Sequence, residues 1–274
     1  MMSQAHVRPP AVAGLFYPDR AAALAEAVDG LLAAARAGTA APPPKAVIAP
    51  HAGYVYSGPI AAAAYARLAP LRGSVRRVIL LGPAHRIPFA GLALPGVAAF
   101  RTPLGDVPID AAALDRIKDL PQVKVLPEAH AGEHSLEVHV PFLQRVFGEF
   151  TLVPLVVGDA AAAEVAEVLE ALWGGPETII VVSSDLSHYE PYAAARAHDR
   201  RTAGAIERLD ARDLGGDDAC GFIPIAGLLR AALAHGLACA RLDLRNSGDT
   251  AGGTRGGVVG YGAWAFAPAA APVD

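Results

Sequence analysis

The stretch VIAPHAGYVYSG, from Val47 to Gly58, begins with a short apolar run that ends at Pro50 and is followed at once by His51. The same arrangement returns in VILLGPAHR, from Val78 to Arg86, where an apolar run and a proline precede His85. Short continuous apolar runs are typical of strands that are buried on both faces of a parallel sheet. Two such strands that each lead into a histidine suggest a site at one edge of a sheet.

Apolar runs alternate with helical patterns along the chain and predict a single α/β domain over residues 1–274. We expect a central, mostly parallel or mixed sheet that is covered by helices on both faces. Asp19 and Asp159 are expected to cap helices, and Gly38 to end the first one. Residues 86–108, rich in proline and glycine, are expected to form irregular strands and turns. The predicted strands are 46–49, 76–82, 151–158, 177–185, 238–246 and 256–266, and the predicted helices are 19–36, 57–70, 110–119, 159–173, 191–209 and 222–235.

Composition narrows the classes of partner and the cellular compartment. The 274 residues carry a net charge of −4 and no basic run longer than two residues, which argues against nucleic acid as a partner. No apolar run approaches the ~18 residues that a membrane-spanning helix needs, and the N-terminus lacks the pattern of a signal peptide. The two cysteines, Cys220 and Cys239, are therefore expected to be reduced thiols in a cytoplasmic protein.

Polar side chains follow the ends of the predicted strands. His51 follows the first strand, His85 the second, and Asp185 and His188 the fourth, while Cys220 precedes a predicted helix whose dipole would favour a thiolate. Ligands of open α/β sheets bind beyond the carboxyl ends of the strands. Two imidazoles and a thiolate could hold a divalent metal and leave one position open. Alternatively, the histidines have only a structural role and hydrogen-bond a loop, and Cys220 is a small buried side chain without a function in binding.

Further candidates lie in a segment rich in His and Glu, EAHAGEHSLEVHVPF, which does not match the HExxH pattern of zinc proteases. Pro141 would interrupt any helix long enough to align its histidines. Glu133 and His134 are candidates to line a pocket, or alternatively to form a hydrogen-bonded helix start. Tyr54, in the aromatic loop after His51, is a third pocket candidate.

These motifs carry a family resemblance. The segments GLFYP, APHAGYVYSG, LLGPAHR, GEHSLEVHVPFLQ, SSDLSHY, CGFIPI and NSGDTAGGTRGGVVGYGAWAF resemble, in order and from about Val7 to Phe266, the Memo family. Its prokaryotic members are called AmmeMemoRadiSam system protein B. The family resembles in fold the class III extradiol dioxygenases (LigB-like), which are non-haem iron enzymes.

The resemblance implies specific roles. His51, His85 and Cys220 match the family's metal ligands, and Asp185 and His188 match residues beside its metal site that could act in catalysis. A divalent metal is implied, with iron expected first and copper or zinc as alternatives. Because the cysteine replaces the carboxylate of the dioxygenases, and a thiolate is softer and oxidisable, the resemblance does not carry over ring-opening activity. It also implies radical SAM and AMMECR-type proteins as partners.

Three functions compete at this point. The first is a metal-dependent redox enzyme in which His188, oriented by Asp185, moves protons. The second is a binding or adaptor protein that holds a small molecule, a peptide or a phosphorylated ligand in the same crevice. The third is a zinc hydrolase, because two histidines, a cysteine and a water also describe catalytic zinc. The chain contains neither a GxxxxGK[ST] phosphate loop nor a GxSxG nucleophile elbow.

Overall fold

The computed structural model describes residues 6–35, 42–251 and 256–269. Strands and helices alternate as the sequence predicts, and two short 3-10 turns lie at 69–71 and 137–139. The strands are β1 (Val7–Arg8), β2 (Ala46–Ala49), β3 (Arg77–Pro83), β4 (Leu92–Leu94), β5 (Ala99–Thr102), β6 (Gly105–Pro108), β7 (Val123–Val125), β8 (Thr151–Val157), β9 (Thr178–Ser183), β10 (His188–Glu190), β11 (Leu237–Asn246) and β12 (Val258–Pro268). The helices are α1 (Ala21–Ala34), α2 (Tyr54–Leu68), α3 (Ala111–Ile117), α4 (Pro127–Ala131), α5 (Val140–Phe147), α6 (Ala162–Leu172), α7 (Tyr192–Glu207), α8 (Phe222–Ala234) and α9 (Ser247–Thr250).

A mixed sheet forms the centre of the molecule. Its middle strands run in the order β2-β9-β3-β8 and are all parallel. β12 pairs antiparallel with β2, β10 and β11, while β4 and β7 extend the other side. β10 pairs with the beginning of β12, whereas β2 pairs with its later residues. Since β12 and β2 are antiparallel, β10 lies beyond the carboxyl end of β2.

Strict alternation along the central strands builds two cores, one on each face of the sheet. In β3, Val78 and Leu80 belong to one core, and Ile79 and Leu81 to the other. Helices α1, α2 and α5 cover the first face, and α3, α6, α7 and α8 cover the second. This arrangement confirms the predicted α/β fold with helices on both faces, because a parallel strand needs apolar cover on both sides.

The starts of three helices differ from the sequence-based predictions. The structure gives α1 an N-cap at Arg20 without a side-chain hydrogen bond, so Asp19 does not cap it, and Gly38 lies outside the described residues. Asp159 does not cap α6 either. Its N–H donates to the Phe89 carbonyl, and the Ala161 N–H at the helix start donates to Glu164 Oε2 at 2.7 Å. α2 begins at Tyr54, three residues earlier than expected.

A small second sheet anchors the N-terminal segment. β5 and β6, within the region predicted as irregular, form an antiparallel pair, and β1 joins β5 in parallel. From β1, the buried Arg8 donates to Glu137 Oε2 at 2.7 Å and to the Glu133 carbonyl at 2.6 Å. Glu137 Oε1 also accepts from the Val12 N–H and the Tyr17 hydroxyl. This network ties residues 8–17 to the loop that carries His134.

Candidate metal centre

Three imidazoles meet at the carboxyl edge of the sheet. His51 and His85 each lie two residues beyond the end of their strands, β2 and β3. His134 comes from the loop between α4 and the 3-10 turn at 137–139. One ligating nitrogen from each ring can be chosen so that all three lie within 4.8 Å of one another. The strand-end rule therefore predicted two members of the cluster, whereas His134 was expected only to line the pocket.

The ring of His51 has a defined tautomer. Ser183 Oγ donates its proton to the Ser135 carbonyl at 2.5 Å, so it can only accept from His51 Nδ1, 2.6 Å away. His51 therefore carries its proton on Nδ1, and its Nε2 is the unprotonated acceptor nitrogen. Burial, reinforced by the neighbouring imidazoles, lowers the pKa of His51 far below its ordinary value, which keeps the ring neutral.

Glu133 fixes the ring of His85. Its Oε1 accepts from His85 Nδ1 at 2.9 Å and from the His134 and Ser135 amides, and its Oε2 accepts from the His85 amide at 2.6 Å. Burial alone would raise the pKa of Glu133, but the bonds from His85 and these amides lower it to about 2. The carboxylate fixes the orientation of the His85 ring through Nδ1, which is the common device for presenting the other ring nitrogen of a histidine to a metal.

His134 completes the cluster through ring packing. Its ring stacks on that of His85, with centroids 4.8 Å apart, and contacts Phe16 at a centroid distance of 4.8 Å. Burial lowers the pKa of His134 to about 4, so the ring is neutral. Its Nδ1 is buried, lies 3.4 Å from Glu133 Oε1 and makes no hydrogen bond within the described part of the chain.

Cys220 lies against one side of this cluster. Its Sγ is 3.4 Å from His51 Nε2 and accepts from the Asp185 N–H at 3.3 Å, but it is not part of the group within 4.8 Å. Burial and the nearby Asp185 carboxyl raise the pKa of the Cys220 thiol to about 12. The expected lowering by the start of α8 is thus wrong for the metal-free protein, and the sulfur stays protonated unless a cation displaces the proton. The ligand set His51, His85 and Cys220 stays a prediction.

Asp185 and His188 both face the crevice, but they contact different groups. Asp185 Oδ1 accepts from the His51 amide at 2.8 Å, and burial raises the pKa of Asp185 to about 7. His188 begins β10, and burial lowers its pKa, against which a hydrogen bond to the Leu186 backbone acts. No described contact has Asp185 orienting His188, so their pairing differs from the predicted one and their catalytic roles stay predictions.

The crevice above the imidazoles has a volume of about 590 Å³. Aromatic side chains form much of its wall; the lining residues include Phe16, Tyr56, His134, Asp185, His188 and Tyr189. Tyr189 has φ 60° and is 80% exposed, and a non-glycine residue in this conformation is strained. Tyr54 is buried instead and donates to the Val138 carbonyl, so Tyr56 takes the position at the wall that was expected of Tyr54.

Comparison with known proteins identifies the family of the chain. The family model described as Memo-like protein matches residues 8–265. The chain belongs to the Memo-like family. It is 35% identical over 277 residues to a MEMO1 family protein of Methanothermobacter thermautotrophicus, covering 93% of this chain and 98% of the relative. A Methanopyrus kandleri relative is 37% identical, covering 94% of this chain and 98% of the relative, and one from Aquifex aeolicus is 35% identical, covering 90% and 94%.

Membership of the Memo-like family confirms the resemblance that the motifs carry. A metal site at the three imidazoles is plausible from their geometry. Both cysteines are free thiols, as expected. Within the described residues, no helix is long and apolar enough to cross a membrane.

Proposed function

We propose that this Memo-like protein is a metal-dependent redox enzyme whose divalent ion is bound by His51, His85 and His134. One observation carries the proposal: three imidazoles present nitrogens within 4.8 Å of one another. In two of them, Nδ1 is hydrogen-bonded to Ser183 or Glu133, so Nε2 is the nitrogen that remains for a metal.

The donor set fits a transition metal. Neutral nitrogen donors suit iron, copper or zinc, whereas magnesium and calcium prefer oxygen. The ionised Glu133 behind His85 is the carboxylate partner that such a site requires. Cys220, whose Sγ is 3.4 Å from His51 Nε2, is the adjacent sulfur donor that would join on losing its proton. We propose iron as the native ion, with copper as the redox-active alternative and zinc as the ion of the alternative hydrolase.

A redox-active ion at this position would supply one-electron chemistry and Lewis acidity. The protein's own groups would handle protons. His188 is neutral at pH 7 because its pKa is lowered, so it can accept a proton from a ligand in the crevice. Asp185, with a pKa of about 7, can hold or release a proton beside the His51 amide. The aromatic wall would orient a small molecule and exclude water.

A binding or adaptor role is the second candidate, favoured by the apolar surface near the crevice. The crevice residues Tyr189 and Tyr56 are 80% and 44% exposed. Two further exposed apolar side chains are next to crevice residues in the sequence: Val55 precedes Tyr56, and Leu15 precedes Phe16. Exposed apolar clusters mark interaction sites. The ligand would be a peptide or small molecule, and radical SAM and AMMECR-type proteins are candidate partners. We also propose a cytoplasmic location, because both thiols are free.

Oxygen consumption by metal-loaded protein tests the redox proposal. Protein purified without oxygen is loaded with Fe(II), Cu(II) or Zn(II) and assayed with a panel of catechols and ascorbate. Iron- or copper-loaded protein should consume oxygen, and the His51→Ala/His85→Ala double variant should not. His188→Ala should bind metal normally but react about 10²-fold slower or more. Oxygen consumption no higher than that of the double variant would contradict the redox role, and ester hydrolysis by the zinc form alone would favour the hydrolase.

A further inference from the structure

A second cleft lies between α7 and β11. It has a volume of about 410 Å³, and four arginines line it: Arg196 and Arg200 from α7, and Arg241 and Arg245 from β11. On the helix, Arg196 and Arg200 are four residues apart and share a face. Two elements distant in sequence thus direct guanidinium groups into one space.

Much of the arginine donor capacity in this cleft is unused. The Arg196 guanidinium lies over the Tyr192 ring, 5.6 Å from its centroid, and makes no hydrogen bond to any residue that the structure describes. Within residues 6–35, 42–251 and 256–269, no acceptor lies within hydrogen-bond distance of Arg200. Arg241 only approaches Glu207 at 3.3 Å through its Nε. Arg245 bonds Asp243 through Nε and Nη2, so its Nη1 remains.

The acidic groups of the cleft, in contrast, already have partners. Asp243 is held by Arg245, and Asp249 accepts from the Tyr192 hydroxyl and from the Asn246 amide. Asp199 is buried and accepts from the Ser187 N–H at 3.1 Å. The carboxylates are therefore engaged with the protein, while the arginines keep N–H groups that are not, above all those of Arg196 and Arg200.

Asn246, another lining residue of the cleft, adds a neutral donor. Asn246, 1% exposed, accepts from the Gly248 N–H through its Oδ1, and this bond fixes the orientation of the amide. Its Nδ2 group therefore donates, and it has no partner among the described residues. The cleft is thus lined by hydrogen-bond donors that lack acceptors, and such a lining suits an anion with several oxygen atoms.

We propose that this cleft binds the phosphate group of a small phosphorylated molecule. Arginine forks match the geometry of phosphate oxygens bidentately, and arginines from two sides can hold one group from both. The volume exceeds what a lone phosphate needs, so the organic part of the ligand would fit there too. The site is separate from the imidazole cluster, although Ser247, next to Asn246, lines the crevice.

Calorimetric titration with inorganic phosphate tests this site at constant ionic strength, with acetate as the competing carboxylate. Wild-type protein should bind phosphate in preference to acetate. Arg200→Gln, which alters an exposed side chain, should weaken binding roughly tenfold or more, as loss of a charge-assisted hydrogen bond predicts. Arg116→Gln, an exposed arginine on α3, should leave binding unchanged.

Asn246→Asp is the second variant. It keeps the acceptor for the Gly248 N–H but replaces the donor with a buried carboxylate, so phosphate binding should fall further; a melting curve of the variant, which burial of the charge shifts down, shows that it is folded at the titration temperature. No phosphate binding by wild type, equal binding by Arg200→Gln and Arg116→Gln, or acetate binding as tightly as phosphate would each overturn the proposal.

Discussion

His51 Nδ1 lies 2.6 Å from Ser183 Oγ, and the serine hydroxyl is itself committed to the Ser135 carbonyl. Ser183 is the last residue of β9, whereas His51 follows β2, the parallel neighbour of β9 in the sheet. The sheet register therefore sets the tautomer of the imidazole. A histidine that must present Nε2 to a metal is prepared by the strand beside it.

Replacing Ser183 by alanine should weaken metal binding without unfolding the protein. The variant removes the acceptor for the His51 Nδ1 proton, so the ring can rotate or change tautomer. Loss of such an outer partner costs about 10–100-fold in metal affinity. Competition with a chromophoric chelator measures it. Ser57→Ala is the matched control, since it also removes a buried hydroxyl bonded to a carbonyl, that of Ala52, and should bind metal like wild type.

Glu133→Gln should weaken both metal binding and the fold. The carboxylate accepts four N–H bonds, from His85 Nδ1 and three backbone amides, and an amide side chain places a donor opposite some of them. We expect a loss of about 1–3 kcal/mol in the free energy of unfolding by urea and a metal affinity reduced about tenfold or more. The exposed Glu149→Gln is the control. Equal chelator competition curves for the two variants would show that Glu133 does not orient His85.

Breaking the buried Arg8–Glu137 ion pair should lower the free energy of unfolding far more than breaking an exposed ion pair. Glu137→Gln leaves the Arg8 guanidinium, only 4% exposed, without its counter-charge, which costs about 3–5 kcal/mol. Asp29→Asn breaks the exposed pair with Arg145 and should cost less than about 1 kcal/mol. Urea unfolding monitored by tryptophan fluorescence measures both. Similar losses in the two variants would contradict the role of Glu137 in fixing residues 8–17.

His198 should make stability depend on pH. Its Nδ1 is 2.6 Å from Glu190 and its Nε2 2.8 Å from Asp218, and the bond to Glu190, followed by that to Asp218, raises its pKa. A raised pKa gives stability that is full below the unfolded value of about 6.5 and is lost as pH rises through the folded value. The melting temperature of wild type should therefore exceed that of His198→Gln most at pH 6 and less at pH 9. Parallel pH curves for the two proteins would refute this linkage.

The fold and part of the site could be predicted because short segments of the sequence carry the pattern that defines them. Apolar runs marked the central strands, and the strand-end rule brought His51, His85 and Asp185 together although they are far apart in sequence. His134 could not be placed in this way. Its position depends on α4 ending at Ala131 and on a loop held by Glu133, and neither has a periodic pattern.

Side-chain states were the other part that sequence could not supply. The start of a helix predicted a thiolate at Cys220, but burial outweighs the helix dipole and keeps the proton on sulfur. Asp185 was expected to orient His188, yet the peptide after Pro50 turns the His51 amide toward its carboxyl group. Such outcomes depend on three-dimensional burial, which composition and spacing do not encode.

Metal content of the purified chain and its single variants, measured by mass spectrometry after reconstitution with Fe(II) and removal of free ion, tests the central claim most directly. The account predicts about one ion per chain in wild type and near zero in His51→Ala, His85→Ala and His134→Ala, with Cys220→Ser retaining the ion at reduced affinity. A wild-type chain that retains no more iron than these three histidine variants would contradict it.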